Sequence, residues 1–337
     1  MIIALEFNLM KLYIILAVVL FVCLLGCLFL LYVQFSNRLL KEAFLRPRKR
    51  PLVDRSPNEF DRSDVSGRGK NWFYSNRMEF LNVQIDSFDN TKLYGYYRPS
   101  YDKDCRNVVI CLHGYNEHPN ETCAYAKLVM TKIQCNVLIP HQRAHEMSGG
   151  KFCSYGLYES VDLQYWIDFC KKQAGDNCRI FILGRCMGAV TALLAAAQES
   201  FSPNVAGIIA DSAYDDLDET LLYAGKRKYK VNLKFIYAWT KMNVKKRFKF
   251  DTGICNVSKS ARNIKVPVLL FAGTRDYIIN PENTRKIYDN LNCQKRMVLI
   301  EGAGHLESYN KAPALYEKET AAFIENCCIR LVKLGRM

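Results

Sequence analysis

From Asn107 onward, six short and nearly uninterrupted apolar runs recur with helix-length segments between them, and few folds accommodate that rhythm. The runs are NVVICLHG from Asn107, CNVLIPH from Cys135, RIFILG from Arg179, VAGIIAD from Val205, VPVLLFAG from Val266 and RMVLIEG from Arg296. A strand with one wet face alternates polar and apolar residues, whereas a run that is apolar throughout is buried on both faces, as in a parallel sheet. The intervening segments are NETCAYAKLVMTKI, LYESVDLQYWIDFCKKQ, CMGAVTALLAAAQES, ENTRKIYDNL and the terminal APALYEKETAAFIENCCIRLVKLG, each with the length and amphipathic character of a helix. Alternation of the two kinds predicts an α/β chain with a mainly parallel sheet and helices on both faces. Before it, MEFLNVQID and KLYGYYRP flank the turn signal DSFDNT and read as an antiparallel pair. The stretch 214–264 is too long for an ordinary connection, so a mostly helical cap insertion over the carboxyl edge of the sheet is expected there.

The segment LYIILAVVLFVCLLGCLFLLYVQF, Leu12 to Phe35, has no charged residue and exceeds the roughly 20 residues that cross a bilayer core as a helix. A single transmembrane helix is expected over 12–35, with 1–11 as a short flank. A cleaved signal peptide would need a shorter apolar core and a small-residue cleavage site. Leu24-Leu25-Gly26-Cys27 has the form of a lipobox, but apolar residues follow it instead of a polar tether. Arg38, Lys41, Arg46, Arg48, Lys49, Arg50 and Arg55 lie after the span and Lys11 before it, a bias that puts the main domain in the cytoplasm. Fourteen cysteines without regular spacing, Cys327 and Cys328 adjacent, suit a reduced compartment better than a disulfide scaffold. Residues 36–76 are basic, carry Pro and Ser and lack sustained periodicity, so a linker is expected ahead of a domain over 77–337.

The net charge of +14 has a local source: ten basic and no acidic residues lie between Lys226 and Lys249. Interleaved with Leu233, Phe235, Ile236 and Trp239, they suit a basic amphipathic helix resting on anionic lipid or gathering acidic substrates. A cap helix whose apolar face covers the core would look the same. No nucleic-acid-binding motif accompanies the charge, so no nucleic-acid partner is expected. No dinucleotide or phosphate-loop fingerprint is present, and no cofactor is expected. His141 and His145 have a zinc-ligand spacing, but Pro140 and the preceding strand put them on a loop without an acidic third ligand, so no metal is expected.

In an open α/β sheet, ligands bind beyond the carboxyl ends of the strands. Cys186 follows RIFILG, Asp276 follows VPVLLFAGTR and His305 follows RMVLIEGAG. Gly184-Arg185-Cys186-Met187-Gly188, between a β-branched run and an alanine-rich one, reads as strand, sharp turn and helix, the form of a nucleophile elbow. His305 is the one histidine after Cys186. Asp211 also ends a strand run and stands as a second choice for the acid.

With five motifs in this order, the chain resembles an α/β-hydrolase of the bacterial serine aminopeptidase and acyl-esterase type, the dipeptidyl aminopeptidase or acylaminoacyl-peptidase-like group, from about Met78 to the C-terminus. The matching stretches are CLHGYNEH (His-Gly-x after the third strand), HQRAHEMSGG (Asp-x-Arg-Gly-His-x-x-Ser-x-Gly), LGRCMGAVTAL (Gly-x-Ser-x-Gly), FAGTRDYIIN (Gly-x-x-Asp) and EGAGH (Gly-x-x-His). Three positions depart from the pattern: Cys186 replaces the serine, His141 an aspartate and Ala144 a glycine. The resemblance implies an α/β-hydrolase fold and the cleavage of an ester, thioester or amide of a small acyl substrate or peptide. It implies Cys186 as nucleophile at a helix N-terminus that favours a thiolate. His305 would be base and acid, Asp276 would fix its tautomer, and the amides of Tyr115 and Met187 would form the oxyanion hole. Dienelactone hydrolases, in the same superfamily, use a Cys-His-Asp set. Two other readings stay open at this level: a catalytically silent protein binding a lipid or partner at the membrane, and a redox-sensing thiol at Cys186.

Overall fold

In a computed structural model, which describes residues 2–46 and 63–335, all the expected strands are present. They are β1 (Leu81–Asp86), β2 (Lys92–Arg98), β3 (Asn107–Leu112), β4 (Asn136–Pro140), β5 (Arg179–Arg185), β6 (Val205–Asp211), β7 (Val268–Gly273) and β8 (Lys295–Ile300). The helices are α1 (Ile2–Phe44), α2 (Val65–Ser75), α3 (Cys123–Lys132), α4 (Leu157–Ala174), α5 (Met187–Ala196), α6 (Leu217–Tyr229), α7 (Lys234–Phe248), α8 (Val257–Ala261), α9 (Pro281–Asn290), α10 (Ser308–Lys311) and α11 (Pro313–Lys333). The eight strands form one sheet in the order β1-β2-β4-β3-β5-β6-β7-β8. Antiparallel pairing is confined to the β1–β2 and β2–β4 edge, and the other pairs are parallel.

Successive residues of β5 serve two cores. Ile180 and Ile182 face a cluster with α4, α5, α8 and α9, while Phe181 and Leu183 face one with α2, α3 and α11. Both faces are therefore dry, which is why the strand runs carry no polar alternation.

Two expectations about segments change. The linker expected over 36–76 is helical at both ends, with α1 continuing to Phe44 and α2 starting at Val65; its middle, with Arg48, Lys49, Arg50 and Arg55, lies outside the described residues. Periodicity did not reveal α2 because glycine shapes its packing face: a Cβ at Gly69 would lie closer than 3.0 Å to the Ala124 backbone of α3. The basic stretch 226–249 is two helices, since Lys230 closes α6 in the left-handed conformation (φ 61°) and Asn232 Oδ1 caps the Lys234 amide at the start of α7.

At 43 residues, α1 is about 65 Å long, roughly twice the 30 Å of a bilayer core. Its side chains from Phe7 to Leu31 are exposed all round, and the segment is long and apolar enough to cross a membrane. From there the helix enters the domain. Phe29 and Tyr32 pack edge-on against Trp239, Ser36 Oγ meets Thr240 Oγ1 at 2.8 Å, and Leu40 and Phe44 are buried. Beyond the helix, Cys153 N–H donates to the Phe44 carbonyl and Arg46 N–H to that of Lys151.

The tightest packing lies where β5 turns into α5. A Cβ at Gly184 would come closer than 3.0 Å to the Gly188 carbonyl, and one at Gly188 closer than 3.0 Å to the Leu112 carbonyl of β3. Gly188→Ala is expected to cost at least about 1–3 kcal/mol of domain stability, the range for overpacked sites. Gly26→Ala, which meets nothing within 4 Å, leaves the domain unchanged. Thermal unfolding of the two variants in one detergent checks the contrast.

Candidate active site

The close approach of Gly184, Gly188 and Leu112 forces a sharp reversal at Cys186, whose φ of 46° and ψ of −109° lie outside the regions that L-residues ordinarily occupy. Its amide donates to the Asp211 carbonyl at 2.8 Å, which fixes the turn against β6. The side chain projects over the carboxyl edge of the sheet and is 9% exposed. Met187 follows as the first residue of α5.

His305 reaches the same edge from the loop after β8. Its Nδ1 lies 2.7 Å from Asp276 Oδ2, and Cys186 is its other electrostatic neighbour. The other oxygen of Asp276 accepts the amides of Ile278 and Ile279 at 2.9 and 2.8 Å, so this buried carboxylate is held in one orientation. Burial works against charge on His305, but Cys186 and Asp276 outweigh it and raise its pKa to about 10. Asp211, the second choice for the acid, is not a partner of His305 nitrogen. It is buried among Ser212, Ser308 and Tyr125 hydroxyls, which bond its carboxylate.

The loop from His113 to His118 faces Cys186, and a Cβ on Gly114 would lie 3.5 Å from that of Cys186. Side chains occupy the amides on either side of Tyr115: Gly114 N–H donates to Glu117 Oε2 (2.7 Å) and Asn116 N–H to His145 Nε2 (3.0 Å). The Tyr115 amide donates to no acceptor among the described residues. Glu117 is itself paired with the buried Arg185 guanidinium at 3.3 Å.

Sequence reasoning missed a histidine clasp around this loop. His113 Nδ1–H donates to the Gly114 carbonyl and its Nε2 accepts the Gln142 amide. His145 repeats the pattern, donating to the Arg143 carbonyl and accepting from Asn116. Each ring is thus a neutral Nδ1–H tautomer tying residues 113–116 to 142–145. Burial, and for His113 the nearby His145 ring, pushes both pKa values down. His141 is driven down to about 3, first by burial and then by His118 and Arg77. The clue in the sequence was that four of five histidines fall in HGYNEH and HQRAH. Among the described residues no group of side chains could hold a metal ion.

Ala144, where the resembling motif has glycine, sits at φ 61° with its amide on the Gly149 carbonyl at 2.7 Å. The left-handed conformation costs an alanine roughly 1–2 kcal/mol. Ala144→Gly is expected to raise stability by about 1 kcal/mol in denaturant unfolding, less the entropy glycine adds to the unfolded chain.

The buried histidines at 113, 141 and 145 give the fold a pH signature. Unfolded histidine takes up a proton below about pH 6.5, and the folded rings resist it, so stability held above that pH declines as pH falls through 6.5 toward 3. His141→Gln is expected to flatten this slope by up to one proton, about 1.4 kcal/mol per pH unit. Unfolding curves between pH 5 and 8 check it, and an unchanged slope would sink the assignment.

Comparison with known proteins agrees with this geometry. Residues 107–245 match the family model described as alpha/beta hydrolase fold, and residues 249–308 match that of serine aminopeptidase, S33. The Bacillus subtilis (strain 168) protein YqkD, itself uncharacterized, is 29% identical over 250 residues, covering 73% of this chain and 81% of its own. The Pyrococcus furiosus esterase Pf2001 superposes with a TM-score of 0.58 at 24% identity, over 74% of this chain and 92% of that one. An esterase from Exiguobacterium antarcticum shares the fold, with a TM-score of 0.54 at 16% identity over 73% of this chain and 100% of its own. Strand order, elbow and family matches agree: the chain has the α/β-hydrolase fold and is similar to hydrolases built on it.

Proposed function

We propose that the protein is a membrane-anchored acyl hydrolase that cleaves an ester, thioester or amide through an acyl-enzyme on Cys186. The observation that carries this reading is His305, bonded through Nδ1 to a buried and doubly anchored Asp276 and raised in pKa by that carboxylate and by Cys186. A histidine whose pKa is raised to about 10 by those two neighbours is an imidazolium at neutral pH.

In this mechanism the thiolate sulfur attacks the acyl carbonyl, and the oxyanion is met by the Tyr115 and Met187 amides. The tetrahedral intermediate collapses as the C–O, C–S or C–N bond to the leaving group breaks and the His305 imidazolium gives it a proton. The now neutral His305 takes a proton from water, whose oxygen attacks the thioester carbon. The C–S bond breaks, the acid leaves, and thiolate and imidazolium are restored. Asp276 holds the ring tautomer throughout and stabilises the cation.

The long apolar helix α1 supplies the anchor as a single span, and Arg38 and Lys41 beyond its exposed part favour a cytoplasmic domain. Exposed lysines of α6 and α7 beside the exposed Val231, Phe235 and Met242 suit an anionic lipid surface.

Cys186→Ala and His305→Ala are each expected to abolish turnover of acyl esters and thioesters by the full chain in detergent. Asp276→Asn is expected to reduce it by roughly 10²–10⁴-fold. Acylation by the wild type falls as pH rises through about 10, where His305 loses its proton. In Asp276→Asn that fall moves to lower pH, because a group raising the histidine pKa is gone. A folded wild type with neither turnover nor an acyl adduct at Cys186 would instead favour a silent binding protein.

A further inference from the structure

A cleft of about 230 Å³ opens beside Tyr115, and one of its walls is the helix read as the membrane anchor. Leu39, Ala43 and Phe44 of α1 face Leu221 and Ala224 of α6 and Leu233 before α7 across it, an apolar lining. Glu42 stands at the edge with its charge met by Lys228 Nζ and Tyr229 Oη, each at 2.6 Å, so no unpaired carboxylate faces the cleft. The floor is formed by Tyr115 and Tyr155, whose rings stack 4.7 Å apart. Tyr115 Oη donates to the Glu42 and Ala43 carbonyls at 3.0 Å, and Tyr155 Oη to that of Ala43 at 2.6 Å. Tyr115, the residue after Gly114, whose added Cβ would lie 3.5 Å from that of Cys186, therefore also fastens the end of α1.

We infer that this cleft holds the acyl chain of a single-chain membrane lipid ester, which passes from the bilayer along α1 with its carbonyl at Cys186. The inference rests on the acyl-hydrolase reading and adds the substrate class. Three features choose the occupant. The wall is continuous with a helix whose preceding turns are apolar and exposed on every side, so the cleft lies next to whatever covers that helix. The lining is mostly apolar, with the paired Glu42 and Lys228 at its edge and the Thr240 hydroxyl bonded to Ser36, which suits a hydrocarbon chain with one polar end. The volume falls below the roughly 300–1,000 Å³ of ordinary ligand pockets, enough for part of one chain and too small for a two-chain lipid.

The test uses the full chain in phosphatidylcholine and phosphatidylglycerol vesicles containing monodecanoyl glycerol, with a water-soluble acetyl ester as the short-chain reference. Leu39→Trp fills the cleft from α1 and Ala224→Trp from α6. Each is expected to lower the ratio of decanoyl to acetyl kcat/KM by at least about tenfold. A ratio unchanged in both variants overturns the proposal, as does wild-type cleavage confined to a decanoyl-cysteinyl peptide in the same vesicles, which would make the substrate a lipidated protein. If the wild type turns over no substrate, the catalytic reading fails on its own. Binding of a fluorescent decanoyl amide, weakened by Leu39→Trp, would then retain the chain site, and binding unaffected by both tryptophans would remove it.

Discussion

At the carboxyl end of β5 the backbone of three elements meets with no room for a side chain at Gly184 or Gly188. That approach holds β3, β5 and α5 at one depth and gives position 186 its positive φ. The strained conformation persists because the packing around it admits no other. The same contact fixes where β3 ends, and hence where the His113–His118 loop begins, while the Cys186 amide ties the turn to Asp211 of β6. Asp211 thus serves the site through its backbone carbonyl, and its buried carboxylate holds Ser308 near the base of the His305 loop.

The second organising contact is the end of α1. A helix terminus leaves its last carbonyls without intrahelical partners. Here Glu42 and Ala43 receive the phenols of Tyr115 and Tyr155, and Phe44 receives the Cys153 amide. Satisfying the helix end and building the wall of the cleft are therefore the same set of bonds. A helix joined to the domain by a free linker would show neither. Arg46, counted in the sequence as one of the flanking positive charges, spends its guanidinium on the Ser148 and Glu146 carbonyls of the loop that carries the histidine clasp.

The sheet was legible because strands buried on both faces leave uninterrupted apolar runs, and the order of Cys186, Asp276 and His305 because each follows such a run directly. What the sequence hid has a physical reason in each case. Leu40 and Phe44 are as apolar as the exposed turns before them, so composition could not mark where α1 leaves its exposed stretch and enters the domain. Gly69 packs by having no side chain, which hydrophobic periodicity cannot register. The break between α6 and α7 depends on a left-handed lysine, a residue type with no preference for that conformation. The clasp pairs His113 with Gln142 and His145 with Asn116 across about thirty positions, and such tautomer-specific bonds leave no local pattern.

The replacement of an aspartate by His141 illustrates how a motif can lose a charge without losing its shape. The arginine two positions on, Arg143, needs carboxylates to be buried. It takes them from elsewhere, from Asp162 at 2.6 and 2.8 Å and from Asp89 at 2.7 Å. With that guanidinium already paired, an aspartate at 141 would be a buried anion among neutral histidines, and desolvation would act against it. A neutral imidazole instead packs edge-on against Tyr96 and accepts the Met147 amide, so the loop keeps its course without importing a charge. Position 141 stays neutral while Arg143 finds its carboxylates in Asp162 and Asp89.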